Sequence, residues 1–239
     1  MERLDKILSG TGRWSRKEVK DLVRYGRVTA NGAVVKSPDE KYPRQGLDLR
    51  VDGEAVGTEE FFYLMLHKPA GLLSATEDPR QPTVLSLLPE HLQRVGLFPV
   101  GRLDKDTEGL LLLTNDGPLG HRLLSPKKHV DKVYFVRVDG LLDASDAAAF
   151  RAGMTLADGL ACLPAELEVL PDPHQGLVTL REGKYHQVKR MLAARGKPVL
   201  YLKRLSIGPL TLDPNLPRGA WRFLTENERE LLGKNPVSR

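Results

Sequence analysis

Four consecutive leucines, Leu110–Leu113, sit between a charged segment and a turn, and they constrain the fold of this chain more than any other feature. A short apolar run bounded by turn signals reads as a buried strand. Before it lies the charged, turn-prone segment Asp104 to Gly109, and after it comes Asn115-Asp116-Gly117. A loop braced by a buried strand is a place where functional groups are held still. Asp104, one residue past the apolar Leu103 and two past Arg102, is the carboxylate such a loop would hold. On spacing alone, a solvated surface charge cluster explains the segment equally well. The chain's 239 residues suffice for a sizeable core in one or two domains.

The net charge of +5 is concentrated in one place. Residues 1–36 hold nine Lys or Arg against four Asp or Glu, so the remainder is near neutral. Such a basic segment points to an anionic partner. Leu4, Ile7 and Leu8 follow helical spacing. A second helix opens at Ser15, with Glu18 at the capping-box position, an apolar stripe of Val19, Leu22 and Val23, and Gly26 placed to end it. Arg16, Lys17, Lys20, Arg24 and Arg27 occupy the other positions. Val28 to Val35 then forms two short strand-like runs about Asn31-Gly32, a strong hairpin signal. Leu47, Leu49 and Val51 alternate before the Asp52-Gly53 turn.

The polar stretch Gly53 to Glu60 suggests a domain boundary near Gly57 or Thr58. Phe61 to Leu66 reads as a buried strand that His67-Lys68-Pro69-Ala70-Gly71 breaks. Val84 to Leu88 is a further apolar run, Lys132 to Val138 an alternating strand, and Ala144 to Arg151 a helix. Leu177–Leu180 is a short strand. Gln187 to Ala194 is a helix with Val188, Met191 and Leu192 on one face, and Val199 to Leu205 precedes a Gly208-Pro209 close. Strands and helices without regular βαβ alternation imply an α+β domain with a mostly antiparallel sheet.

The single Cys162 excludes a disulfide framework and a cysteine-rich zinc site. The N-terminal residues lack a signal-peptide core, and no apolar run approaches the roughly 20 residues of a membrane span. The expectation is a soluble, cytoplasmic protein. No phosphate-binding glycine loop, zinc-protease motif or serine nucleophile elbow is present. His121 and His129 are too isolated to argue a metal site. Any chemistry must rest on carboxylate, phenol and cationic side chains, for which Asp104, Tyr134, Lys189 and Arg190 are candidates.

Two resemblances sharpen this reading. Arg3-Leu4-Asp5-Lys6, Ser15-Arg16 and Gly26-Arg27-Val28-Thr29-Ala30-Asn31-Gly32 resemble the S4 RNA-binding domain, over residues 1–57. That resemblance implies that Arg16, Lys17, Lys20 and Arg24 lie against RNA phosphates. Gly101-Arg102-Leu103-Asp104 with Thr107 and Gly109 to Gly117 resembles the catalytic motif of the S4-containing rRNA pseudouridine synthases. His67 to Gly71, Lys132-Val133-Tyr134 and Glu182 to Met191 resemble its other motifs. The expected architecture is therefore α+β: an S4-like domain, then a catalytic domain over 58–239 with a mostly antiparallel mixed sheet flanked by helices.

Within that family, the Tyr185-His186-Gln187-Val188-Lys189-Arg190-Met191 run and the segment Asp78-Pro79 to Leu85 favour the members acting on small-subunit (16S) rRNA. A large-subunit enzyme and a non-catalytic S4-type assembly factor are the alternatives. The resemblance implies a uridine-to-pseudouridine isomerisation without a cofactor or metal, on ribosomal RNA that is either naked or in a partly assembled particle, by a monomer. It implies Asp104 as the reacting carboxylate, Tyr134 stacked on the uracil, and Lys189 paired with Asp104. It further implies Arg102 in handling RNA, Arg190 as a substitute cation or phosphate ligand, and Leu202 as the apolar floor. Asp104 could attack the ribose C1′ or remove the C2′ proton. Two positions depart from the family pattern: His67 stands where Asn is usual, and Lys189 where Arg is frequent. The latter weakens the case for a bidentate contact with a carboxylate.

Overall fold

A computed structural model describes residues 1–125 and 130–233, which places His129 outside the described residues. The chain forms two compact units. One comprises Met1–Phe62 and Leu88–Leu97; the other comprises Tyr63–Leu87 and the chain from Phe98 onward.

In the first unit the helices Leu4–Ser9 and Arg16–Arg24 accompany a four-stranded sheet of Ala33–Val34, Val28–Ala30, Leu49–Val51 and Glu54–Ala55, in that order. The second helix begins where the Ser15 hydroxyl accepts from Glu18 N at 3.3 Å and Glu18 Oε2 accepts from Ser15 N at 2.7 Å, a complete capping box. Asn31 and Gly32 both take positive φ (51° and 81°), as the tight hairpin turn requires. Leu4, Ile7, Leu8, Val19, Val28 and Leu49 bury their side chains in one core. Each contributes about 1.5–3 kcal/mol through burial. The opposite face of the second helix leaves Arg16, Lys17, Lys20 and Arg24 exposed.

The second unit is built on a mixed sheet. Its main path runs Glu166–Val169, Gln175–Leu180, Lys132–Val138, Val199–Ile207, Glu108–Thr114, Tyr63–Lys68, Trp221–Phe223. Adjacent strands on this path pair antiparallel except Val199–Ile207 with Glu108–Thr114, which run parallel through Lys203↔Glu108 and Arg204↔Gly109. Every residue of Glu108–Thr114 is buried, as the leucine run requires. Leu110 and Leu112 join Met65, Ile207, Leu119, Leu123 and Leu232, so the helices Gly117–Leu124 and Glu226–Gly233 cover that face.

Three local expectations change. The leucine strand starts earlier, at Glu108, inside the segment read as a turn. Tyr63–Lys68 continues through His67 and Lys68, which are both buried, instead of breaking before them. Asn115-Asp116-Gly117 opens a helix: Asp116 Oδ1 accepts from Leu119 N at 2.9 Å, Pro118 occupies the first turn, and Tyr63 donates its hydroxyl to Asp116 Oδ2 at 2.8 Å. At the parallel junction Gly109 has φ 108°, and a Cβ there would lie 2.2 Å from the Arg204 carbonyl oxygen. Only glycine permits that approach.

Candidate active site

Asp104 lies on the loop entering the central strand, and main-chain contacts fix that loop from several directions. The Ser74 hydroxyl donates to Leu103 O at 2.9 Å and accepts from Leu103 N at 3.1 Å. Gly71 N donates to Lys105 O at 2.7 Å, and Thr107 N to Asp104 O at 3.0 Å. Beneath the loop, the Lys68 ammonium has no exposed surface and lies within hydrogen-bond reach of four carbonyl oxygens. These are Pro69 at 3.0 Å, Asp104 at 3.1 Å, Lys105 at 3.2 Å and Thr107 at 2.9 Å. Burial drives the Lys68 pKa down to about 8, although Asp106, Asp104 and Glu108 oppose the shift.

The Asp104 carboxylate faces a cleft lined by Arg102, Leu103, Thr107, Tyr134, Leu180, Gly183, Lys184, His186, Gln187, Val188 and Leu202. Lys189 Nζ stands 3.0 Å from Asp104 Oδ2 and 2.5 Å from Asp106 Oδ1. The ammonium thus forks between two carboxylates instead of making a two-pronged contact with one. Burial works against the Lys189 charge, but hydrogen bonds to Asp106 and Asp104 outweigh it and hold its pKa above the ordinary value. On the other oxygen, His186 Nε2 lies 3.5 Å from Asp104 Oδ1. A carboxylate so placed, only partly exposed between the Lys189 ammonium and the His186 ring, is oriented for nucleophilic or base chemistry on a bound molecule.

Tyr134 and Leu202 come from adjacent strands of the same sheet, Lys132–Val138 and Val199–Ile207, where Val136 pairs with Leu202. Alternation puts Tyr134, Val136 and Leu202 on one sheet face. Tyr134 is nearly buried, and its hydroxyl has no hydrogen-bond partner among the described residues. The site therefore combines a carboxylate, its counter-cation, a phenol and the apolar side chain of Leu202.

Arg102 is exposed at the cleft and makes no ion pair among the described residues. The nearby carboxylates in sequence are engaged elsewhere: Asp106 with Lys189, and Glu108 with Tyr201 and Arg218. Arg190 does not join the cleft. It pairs with Asp158 at 2.5 Å, because neighbouring helix positions project about 100° apart. It is therefore not placed as a substitute for Lys189. On the first unit's basic helix, Arg24 donates to Tyr25 Oη at 3.0 Å and keeps its guanidinium 5.0 Å from that ring.

Sequence reasoning names none of Asp106, Glu108, Lys68 and His186 as a site residue. Asp106 shares the Lys189 charge. Glu108 is buried, accepts from the Tyr201 hydroxyl at 2.7 Å and pairs with Arg218 at 3.2 Å. Burial alone would push its carboxyl up; Tyr201 and Arg218 together hold it below the ordinary value. A charged residue two positions past the apolar run Tyr63–Leu66 is the available signal for Lys68. For His186 there was none, since its place depends on a left-handed backbone at φ 50°.

Comparison with known proteins identifies the family. Residues 62–194 match the family model for RNA pseudouridylate synthase, and residues 2–44 match the S4 domain. An uncharacterized RNA pseudouridine synthase of Bacillus subtilis is 48% identical over 235 residues, covering 97% of this chain and 98% of the relative. The ribosomal small subunit pseudouridine synthase A of Pseudomonas aeruginosa is 42% identical over 230 residues, covering 95% and 98%. The protein of the same description from Yersinia pestis is 43% identical over 237 residues, covering 97% and 98%. A crystal structure of a pseudouridylate synthase superposes with a TM-score of 0.68 at 36% identity, covering 97% of this chain and all of that one. With an S4 match at its start, a pseudouridylate synthase match over more than half its length and near full-length relatives of that description, this chain belongs to the RNA pseudouridylate synthase family, the enzymes that isomerise uridine to pseudouridine in RNA.

Proposed function

We propose that this enzyme converts one uridine of small-subunit ribosomal RNA to pseudouridine, with Asp104 as the reacting carboxylate. The observation that carries this reading is the Lys189–Asp104 ion pair, at 3.0 Å, in a cleft shared with Tyr134 and Leu202. The small-subunit target is supported by the near full-length relatives that carry that description.

The target base leaves its stack and enters the cleft. Asp104 acts on the ribose, and the N1–C1′ bond breaks. The uracil turns, C5 bonds to C1′, C5 loses its proton and N1 gains one, so the product is an isomer and no electrons are exchanged. Lys189, 3.0 Å from Oδ2, holds the Asp104 carboxylate in orientation. Tyr134 stacks on the uracil with its hydroxyl available for the proton at C5. Leu202 is the floor beneath the base. Arg102, exposed and free of ion pairs among the described residues, contacts the RNA backbone where the base has been extruded.

Residues 1–57 act as the RNA-binding module, through Arg16, Lys17, Lys20 and Arg24, and residues 58–239 as the catalytic domain. One chain supplies every proposed site residue, which supports action as a monomer. Ribosomal RNA as substrate supports a cytoplasmic location. Among the described residues no helix is long and apolar enough to cross a membrane.

The test is to map pseudouridines in ribosomal RNA from a strain lacking the gene, then complement with wild type and Asp104→Asn. One small-subunit position should lose its pseudouridine, and only wild type should restore it while both proteins bind the RNA. Restoration by Asp104→Asn would refute the role of Asp104. Loss at a large-subunit position would refute the target.

A further inference from the structure

Tyr185 is the most exposed aromatic side chain among the described residues, at 76%. Its ring nevertheless has a defined position. It stacks on His186 with centroids 3.8 Å apart and planes inclined by only 18°. His186 in turn lines the Asp104 cleft and reaches toward the carboxylate with Nε2. One face of the Tyr185 ring is therefore covered, and the stack ends in an open aromatic face beside the cleft.

The backbone maintains this arrangement at a cost. His186 takes φ 50° and ψ 32° at the entrance to the helix Gln187–Ala194, a left-handed conformation that a non-glycine side chain seldom adopts. Helix capping does not account for it, since the His186 side chain makes no capping hydrogen bond. The adjoining turn is closed by Lys184 N donating to Gln187 Oε1 at 3.0 Å. Strain of this kind is retained where the surroundings over-determine it, and it clusters at functional sites. Nor does the core account for Tyr185, whose hydroxyl has no partner among the described residues.

We propose that the Tyr185–His186 stack is a ledge for an unpaired nucleobase adjoining the target uridine, and that it helps select the RNA context in which the uridine is modified. This rests on the reading of the Asp104 cleft as the place where the uridine reacts. Extruding a uridine deprives its neighbours of a stacking partner. An aromatic ring with one face free replaces that partner for any base, because every base has a π-face. Arg102 in the cleft lining supplies positive charge for the intervening phosphate. The ledge and the cleft together would hold two consecutive nucleotides, one reacting and one anchoring.

The experiment uses the full-length protein and an RNA fragment spanning the mapped position. Tyr185→Ala should raise KM about tenfold with kcat within about twofold, the size expected for one lost base stack. Tyr185→Phe, which keeps the ring, should recover most of the affinity. Fragments with an abasic nucleotide at each flanking position are then compared. One such fragment should bind wild type about tenfold more weakly and Tyr185→Ala no more weakly than the intact RNA. A wild-type KM for Tyr185→Ala, or equal weakening of both proteins at every abasic position, would overturn the ledge. Asp104→Asn separates the two readings: turnover in that variant overturns the cleft assignment, whereas an inactive Asp104→Asn with a wild-type Tyr185→Ala overturns the ledge alone.

Discussion

Replacing Lys68 by methionine removes an ammonium and leaves a side chain of similar length. In the native protein that ammonium faces the carbonyls of Pro69, Asp104, Lys105 and Thr107 at 2.9–3.2 Å and has no exposed surface. Three charged N–H donors at about 1.5–3 kcal/mol each contribute roughly 4–9 kcal/mol. Against this stands the cost of burying the charge. A pKa lowered from 10.5 to about 8 corresponds to about 3 kcal/mol. The balance predicts that Lys68→Met loses about 1–6 kcal/mol near neutral pH.

The pH dependence has a definite sign. Because the folded pKa lies below the unfolded one, the unfolded chain holds a proton between about pH 8 and 10.5 that the folded chain has released. Stability contributed by Lys68 therefore rises with pH across that window, by up to about 1.4 kcal/mol per unit, and is level below it. Urea unfolding of wild type and Lys68→Met at several pH values reads the difference directly. The gap should be constant up to about pH 8 and then widen by about 3 kcal/mol toward pH 10.5. Because the same ammonium holds the Asp104 loop, pseudouridine formation should fall at least about tenfold under conditions where the variant is folded. A gap that is identical at pH 7 and pH 10, or wild-type turnover in the folded variant, would refute the reasoning.

Gly109→Ala should destabilise the second unit by about 3 kcal/mol or more, since its Cβ would meet Arg204 backbone atoms at 2.2 and 2.6 Å on a φ of 108°; a wild-type melting temperature would contradict that packing. Replacing Lys20 and Arg24 together by Ala should weaken binding to ribosomal RNA and flatten the dependence of log affinity on log salt by about 1–2. Filter binding across a salt series checks this, and an unchanged slope would remove the basic helix from the interface.

Much of the secondary structure was legible because it is written within a few residues. The capping box at Ser15 and Glu18, the Asn31-Gly32 turn, the Leu110–Leu113 run and the apolar face of Gln187–Ala194 all depend on neighbours one to four positions away. Boundaries failed where a distant partner decided them. Lys68 resembles the end of a strand until four carbonyls surround its ammonium, and Asn115-Asp116-Gly117 resembles a plain turn until Tyr63 and Leu119 engage Asp116.

The candidate site divides along the same line. Asp104, Tyr134, Lys189 and Leu202 could be named from motifs, and the sheet order brings their strands and helix to one cleft. Which charge meets which was beyond the reach of spacing. Lys189 takes Asp106 as well as Asp104, Arg190 turns to Asp158, and Glu108 closes on Tyr201 and Arg218. By itself the sequence determined the turns, the apolar faces and the chemical groups available, because those follow from local backbone preference and hydrophobic period. Tertiary structure alone decided the ion pairs, the buried Lys68 staple and the Tyr185–His186 stack, because Coulomb and stacking interactions depend on distances that only the packed chain sets.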